Sequence, residues 1–423
     1  MKPSTLTKKL FMRFIVSDTR RQMTHQKGRL TRGKVPTVHY FHQVDDPHSH
    51  LAIQKINALR DHYKVRFEFH LAQAPTEIEQ GDSQRFPSWA LRDARAVASE
   101  YGVKLPHGVD QIEGGQVQCA ESYLAEHLTK ACFVNEAISV GQRLWSGEPI
   151  NKNWLSNAAI NGSALRSKLG HWLSATFYFE GEWYWGVDRL LHLENRLKTL
   201  NLSNNQCEIC VPRPKPESIG SKDASRVTLE FFPSLRSPYS AICFDRTVNL
   251  AKRTGVNFRL RPVMPMMMRG VPAQLKKQLY ILTDAKREAE HYGERFGCIV
   301  DPIGKPVKKA FALLPLMIEK NLSTEFCSNY LRAAWREGID ITNNRGLKKV
   351  VERTGANWNE AQEQLENESW EVLLEDNVSD MLAAGLWGVP SFKVTGGTID
   401  ETFCCWGQDR LWRVESEISR RSF

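Results

Sequence analysis

The strongest constraint in this chain is that it repeats itself. Shifted by 191 positions, the segment beginning near Val38 lies without a gap on the one beginning near Leu229. Phe41 then falls on Phe232, Pro47 on Pro238, Ser49 on Ser240, Leu59 on Leu250, Val65 on Val256 and Phe67 on Phe258. The run from Leu91 to Gly102 (LRDARAVASEYG) meets that from Leu282 to Gly293 (LTDAKREAEHYG) at the same shift. Further on, GHWLSATF (170–177) meets GLWGVPSF (385–392), and WGVDRLLHLE (185–194) meets WGQDRLWRVE (406–415). Ordered matches at several separate places predict a tandem duplication, and so two domains of one architecture.

A length of 423 residues accommodates two such domains, each able to bury its own core. The apolar fraction of 41% and charged fraction of 25% are those of a globular chain. No apolar run approaches the roughly 20 residues of a membrane span. The formal charge of +9 raises nucleic-acid binding as a question, but the basic residues alternate with acids. Stretches such as DAKREAEHYGER read as solvated helix faces, and mild positive charge suits attraction of an anionic small substrate better. No nucleic-acid partner is therefore expected. Nine scattered cysteines argue for a reducing, cytoplasmic setting rather than a disulfide framework.

Residues 1–34 read as a basic N-terminal extension, with a membrane-surface helix or a transit peptide as the other readings. The first copy spans 35–203, a Pro-, Ser- and Lys-rich linker spans 204–225, and the second copy spans 226–423. In the second copy VTLEFF reads as a strand. SPYSAICFDRTVNLAKRTG is a helix ended by Gly255, and VNFRLRP is a second strand. Helical periodicity runs through roughly Ala273–Gly355, followed by two hairpin strands and a last helix. A right-handed βαβ unit, a helical insertion and a closing ββα make this α/β order a thioredoxin fold.

Three motifs bear on chemistry. In RSPYS (236–240), Ser237 suits an N-cap and Pro238 the first helical position. The helix start is then an anion site able to stabilise a thiolate, with the serine hydroxyl as donor; a plain helix start is the simpler reading. In GVPSF (388–392), Pro390 precedes a strand, where a cis Val389–Pro390 bond avoids a missing ladder donor, an ordinary trans turn proline being the other reading. In WGQDRL (406–411), Gln408 and Asp409 open the last helix, where Asp409 is a cap and a candidate receiver of an amino-acid end. Arg269, in MPMMMRG, is a candidate contact for a substrate carboxylate or a surface ion pair.

These motifs, with FFPSLRSPYSA, MRGVP, KREAEHYG and AAWREGIDI, resemble the kappa-class glutathione transferases and the 2-hydroxychromene-2-carboxylate isomerases. That group is a branch of the DsbA-like thioredoxin superfamily. The resemblance implies two tandem DsbA-like domains, each with a helical insertion, and glutathione as cofactor. It gives Ser237 the role of assisting the thiol. It gives Val389 and Pro390 backbone pairing with the cysteinyl residue, and Gln408 and Asp409 the γ-glutamyl end. The implied activity is glutathione-dependent isomerisation or transfer on an aromatic or unsaturated carboxylate. A non-catalytic thiol-binding scaffold and a thiol–disulfide oxidoreductase are the competing classes. The last lacks a CxxC at 234–240. The resemblance also raises a homodimer, or an internal pseudo-dimer of the two copies.

Copy one departs from the pattern. Asp46 replaces Ser237, and Ala175 stands at Pro390. A carboxylate about 4 Å from a thiolate would cost roughly 4 kcal/mol at an effective dielectric near 20. Copy one is therefore expected to be a structural or regulatory pseudo-domain, with a different small-molecule site at Asp46, His48 and His50 as the alternative. The lone CxxC, Cys207 and Cys210, lies in the linker and makes at most half a zinc site, so no metal is expected.

Overall fold

The computed structural model describes residues 5–31, 33–151, 155–204, 208–217, 220, 222–271 and 273–423. It divides into two compact units. One comprises 21–214 and 273–280; the other comprises 1–20, 215–272 and 281–423. The boundaries differ from the expected ones because the flanking segments dock. In the first unit, Arg21 and His25 pair with Glu182 at 3.2 and 3.1 Å, and the Gly28 backbone packs against that of Glu180. In the second, Lys9 donates to the carbonyl of Gly338 at 2.6 Å.

In the N-terminal unit the strands β1 (Thr37–His42), β2 (Arg66–Leu71), β3 (Thr176–Phe179) and β4 (Glu182–Trp185) form one sheet in the order β2-β1-β3-β4. β1 and β2 are parallel, and the other pairs are antiparallel. In the C-terminal unit β5 (Val227–Phe232), β6 (Asn257–Leu260), β7 (Ser391–Gly396) and β8 (Phe403–Trp406) take the order β6-β5-β7-β8 with the same polarities. The central strands carry the cores: Val38, Tyr40 and Phe41 in one sheet, and Val227, Leu229, Phe231 and Phe232 in the other, are fully buried. Phe231 stacks on Phe392 with centroids 5.2 Å apart.

Local signals account for most boundaries. Ser237 caps the helix Pro238–Thr254, Pro238 opens it, and Gly255 closes it at φ 72°, a conformation glycine adopts without steric cost. In the N-terminal unit Asp46 accepts the N–H groups of His48 and Ser49 at 3.3 and 2.9 Å and caps Pro47–Ile53. That crossover is broken at Gln54–Lys55 before Ile56–His62. The mostly helical middle that the periodicity predicts is interrupted at residues 292–304, which carry no helix. Gly293, Gly297 and Gly304, at φ 68, 130 and 83°, interrupt the run.

Hydrogen bonds recur at positions 191 apart. The Ser49 hydroxyl accepts the N–H of Gln43 at 3.2 Å, and that of Ser240 accepts the N–H of Ser234 at 3.1 Å. Beyond the insertion, the carbonyls of Ala175 and Pro390 accept from Gly186 and Gly407 at 2.8 and 3.0 Å. Ala175, the stand-in for Pro390, sits at φ 56°.

The expected linker is tied down near its end by reciprocal backbone hydrogen bonds between Asp223 and Phe423, both 3.1 Å, and in its first half by Glu194. Glu194, fully buried, accepts from Tyr63 Oη at 2.8 Å, Cys210 N at 2.7 Å and Val211 N at 2.8 Å. Cys207 lies outside the described residues. No helix among the described residues is long and apolar enough to cross a membrane. Replacing Glu194 by Ala removes the acceptor of all three of these hydrogen bonds. The expected result is a loss of about 2–4 kcal/mol, read as a lower denaturant midpoint of the N-terminal unit's transition.

Candidate functional site

Strand register sets the site's geometry in the C-terminal unit. Phe232 pairs with Ser391, and Ser391 with Trp406. The chain leaving β5 toward Ser237, the chain entering β7 from Pro390, and the chain leaving β8 toward Asp409 thus meet at one end of the sheet. This is the carboxyl end of the central strand, where open α/β sheets bind ligands.

The segment between β5 and its helix is fixed by Arg236. Its guanidinium grips both Asp301 oxygens, at 2.9 and 2.8 Å, and reaches Met267 Sδ at 3.0 Å. Ser237, half-buried, accepts the N–H of Ser240 through Oγ at 3.1 Å. Among the described residues its hydroxyl proton has no acceptor, so it is available to a ligand.

The Val389–Pro390 bond is cis. Ser391 Oγ donates back to the Gly388 carbonyl at 2.8 Å, and Arg269 donates to the Trp387 carbonyl at 3.0 Å and to that of Met264 at 3.2 Å. Arg269 thus clamps the loop before Pro390, a role the sequence did not suggest. Neither the N–H nor the carbonyl of Val389 has a backbone partner among the described residues. The Trp406 indole lies flat against Gly388, where a Cβ would come within 2.1–2.5 Å of the ring.

At the last helix, Asp409 turns its carboxylate over Gly407, with Oδ1 3.8 Å from Arg410 Nη1. Gln408 points the other way. It is 1% exposed, and its amide donates to the fully buried Glu288, leaving Oε1 orphaned. Tyr239 Oη donates to Asp284 at 2.7 Å, and Arg287 Nη2 donates to the same carboxylate at 2.6 Å. Asp284, Arg287 and Glu288 are therefore buried, against the expectation of a solvated face over 284–295. Their helix, Leu275–His291, braces the starts of both the first and the last helices.

None of the described cysteines is in a disulfide. Cys243, one turn inside the first helix, is fully buried, and burial pushes its thiol up to about 12, with Asp245 and Asp409 adding to the shift. It is not a thiolate nucleophile.

The N-terminal unit has a cleft of about 920 Å³ at the equivalent end of its sheet, lined among others by Asp46, His48, Arg92, Arg95, Ser174 and Trp185. His48, 5% exposed, has no hydrogen-bond partner at Nε2 among the described residues, and that atom lies 3.6 Å from Asp93. Asp46 and His48 thus share the cleft, whereas His50 does not line it. His50 is packed on Gly141, and burial lowers it to about 4. Asp188 is occupied by Tyr101 Oη at 2.8 Å. Burial, reinforced by Asp45, raises Glu121 to about 7.

Residues 228–419 match the family model of a DSBA-like thioredoxin domain, so the C-terminal part of the chain carries a DsbA-like thioredoxin domain. Among solved structures, a 2-hydroxychromene-2-carboxylate isomerase is similar at 19% identity, over 46% of this chain and 95% of that one, with TM-score 0.38. The cytosolic disulfide reductase DsbM from Pseudomonas aeruginosa is similar at 18% identity, over 46% and 98%, with TM-score 0.34. The structure of DsbM with GSH gives 17%, 46%, 99% and 0.33. A comparison with curated proteins gives no match.

Two outcomes test these geometries. Gly388→Ala drives a methyl into the Trp406 indole and should cost about 1–3 kcal/mol, read from the denaturant midpoint. Glu121 binds its proton more tightly folded than unfolded, so stability falls as pH rises from about 4.5 to about 7. Glu121→Gln should flatten that slope in thermal melts taken across the same window.

Proposed function

We propose that the C-terminal unit binds glutathione with its thiol at the start of the Pro238–Thr254 helix. There it catalyses isomerisation or transfer on an aromatic or unsaturated carboxylate. The observation that carries this reading is the Ser237 hydroxyl: it caps the helix as an acceptor and keeps its proton for a ligand. A thiolate placed there gains a hydrogen bond and the positive helix end, which raises the fraction ionised at neutral pH. The unpartnered N–H and carbonyl of Val389 suit strand-like pairing with the cysteinyl residue.

Asp409 would receive the γ-glutamyl ammonium. Gln408, the other residue assigned to that end, is turned inward and would act through Glu288 by holding the helix start. Arg269 remains the proposed contact for a substrate carboxylate, acting from a position it also uses to fix the loop. The thiolate would add to the unsaturated carbon, permit rotation about the former double bond, and leave, so that glutathione is regenerated. The repeated sheet order and recurring hydrogen bonds support descent of both units from one duplicated domain, with the N-terminal copy having lost this chemistry at Asp46 and Ala175.

Calorimetric titration of glutathione into the full chain tests the reading. One site is expected, weakened by Ser237→Ala and indifferent to Asp46→Ala. The bound thiol's pKa, followed by thiolate absorbance, should rise by about 1–2 units in Ser237→Ala, the equivalent of losing one hydrogen bond to a charged group. Binding without turnover on unsaturated carboxylates would favour the scaffold reading. No binding at all would remove glutathione from the account.

A further inference from the structure

The N-terminal sheet brings together three side chains that the thiol chemistry does not use. In the parallel pair, His39 of β1 lies opposite Glu68 of β2, and Phe41 opposite His70. Residues two apart on a strand share a face, so His39, Glu68 and His70 rise from one side of the sheet. Their donor atoms converge. His39 Nδ1 is 3.1 Å from His70 Nε2 and 3.9 Å from Glu68 Oε1, and His70 Nε2 is 3.7 Å from that same oxygen. Around zinc with bonds of about 2.0–2.1 Å and tetrahedral angles, ligand atoms lie about 3.3 Å apart, so bringing Glu68 about half an ångström closer to the two rings, with the rings parting slightly, closes the set.

We infer that His39, Glu68 and His70 form a three-ligand site for a borderline divalent metal ion, zinc foremost, with a fourth position open to water. Two imidazoles and one carboxylate are the donors such an ion takes, and three protein ligands leave a coordination position free. The side chains are 26%, 45% and 13% exposed, which gives an ion a path in. Below them the floor is aromatic and rigid: the Phe41 ring stacks on His70 at 4.8 Å, and Tyr178 lies 6.1 Å from His39. Arg66 approaches the second Glu68 oxygen at 3.5 Å, leaving Oε1 turned to the imidazoles.

The C-terminal sheet provides an internal comparison. There the corresponding positions hold Glu230, Arg259 and Arg261. The Glu230 carboxylate is closed by Arg261 at 2.9 Å and Lys393 at 2.7 Å, cations with no lone pair to offer a metal. The fold satisfies this face with an ion pair in one unit. In the other it presents three Lewis bases whose only mutual hydrogen bond is the one between the two rings.

The test uses the full chain stripped with a chelator. Zinc is titrated in competition with a chromogenic chelator, and cobalt(II) is added for its visible spectrum. One ion per chain is expected, with d–d bands and no thiolate charge-transfer band. His39→Ala and His70→Ala should each weaken zinc by more than about 100-fold, beyond the loss of an outer-shell partner. Glu68→Gln, which keeps the side chain's size, guards against effects of misfolding and should weaken zinc as well. Cys132→Ser removes a ligand from the other convergent group, His127, Cys132 and Glu136, and should change nothing. Absence of one-to-one binding, a thiolate band, or binding retained in the His39→Ala/His70→Ala double variant would each overturn the site.

Discussion

Each unit depends on a serine hydroxyl near the start of its first crossover helix. Ser49 and Ser240 accept the N–H of a residue just past the central strand, Gln43 or Ser234. That N–H has left the sheet and would otherwise be buried without a partner, at a cost of a few kcal/mol. Satisfying it from the helix folds the chain back sharply and pins the helix N-terminus to the carboxyl end of the strand. The cap residue, the loop entering the hairpin and the start of the last helix then fall at the same edge of the sheet. The catalytic possibilities of both units follow from what stands at those three places.

Two units with one sheet order hold opposite chemistry there. Ser237 has a proton to give, whereas Asp46 spends its acceptor oxygens on two amides and the Ser49 hydroxyl and adds negative charge. Pro390 carries a cis bond, whereas Ala175 reaches its place through φ 56°. On the sheet face the difference recurs, as an ion pair about Glu230 in one unit and two imidazoles with a carboxylate in the other. A thiolate placed beside Ser237 would gain a donor and the positive helix end, whereas one beside Asp46 would meet a carboxylate.

The C-terminal site is stiffened from behind by charges that look, in sequence, like a solvent face. Asp284, Arg287 and Glu288 recur every three or four residues, as exposed helix charges do. Burial was invisible because their partners, Tyr239 and Gln408, lie 45 and 120 residues away. Buried and hydrogen-bonded to Tyr239 and Gln408, these charges tie the starts of the first and last helices to the helix behind them.

Features that depend on neighbours along the chain could be read before any packing was known. The caps at Asp46 and Ser237, the stop at Gly255 and the strands were legible, because capping and side-chain alternation act within a few residues. Ser237, Val389, Pro390 and Asp409 stand out through their motifs, and they lie at one edge of the sheet. Packing sets which way Gln408 and Arg269 turn, docks the linker on Glu194, and puts His48 but not His50 at a cleft. It also decides that His39 meets Glu68 and His70. Cysteine spacing could not announce that cluster, since its ligands come from two strands about 30 residues apart. A parallel register aligns them, and register is set by the whole sheet burying its apolar face rather than by any local run of residues.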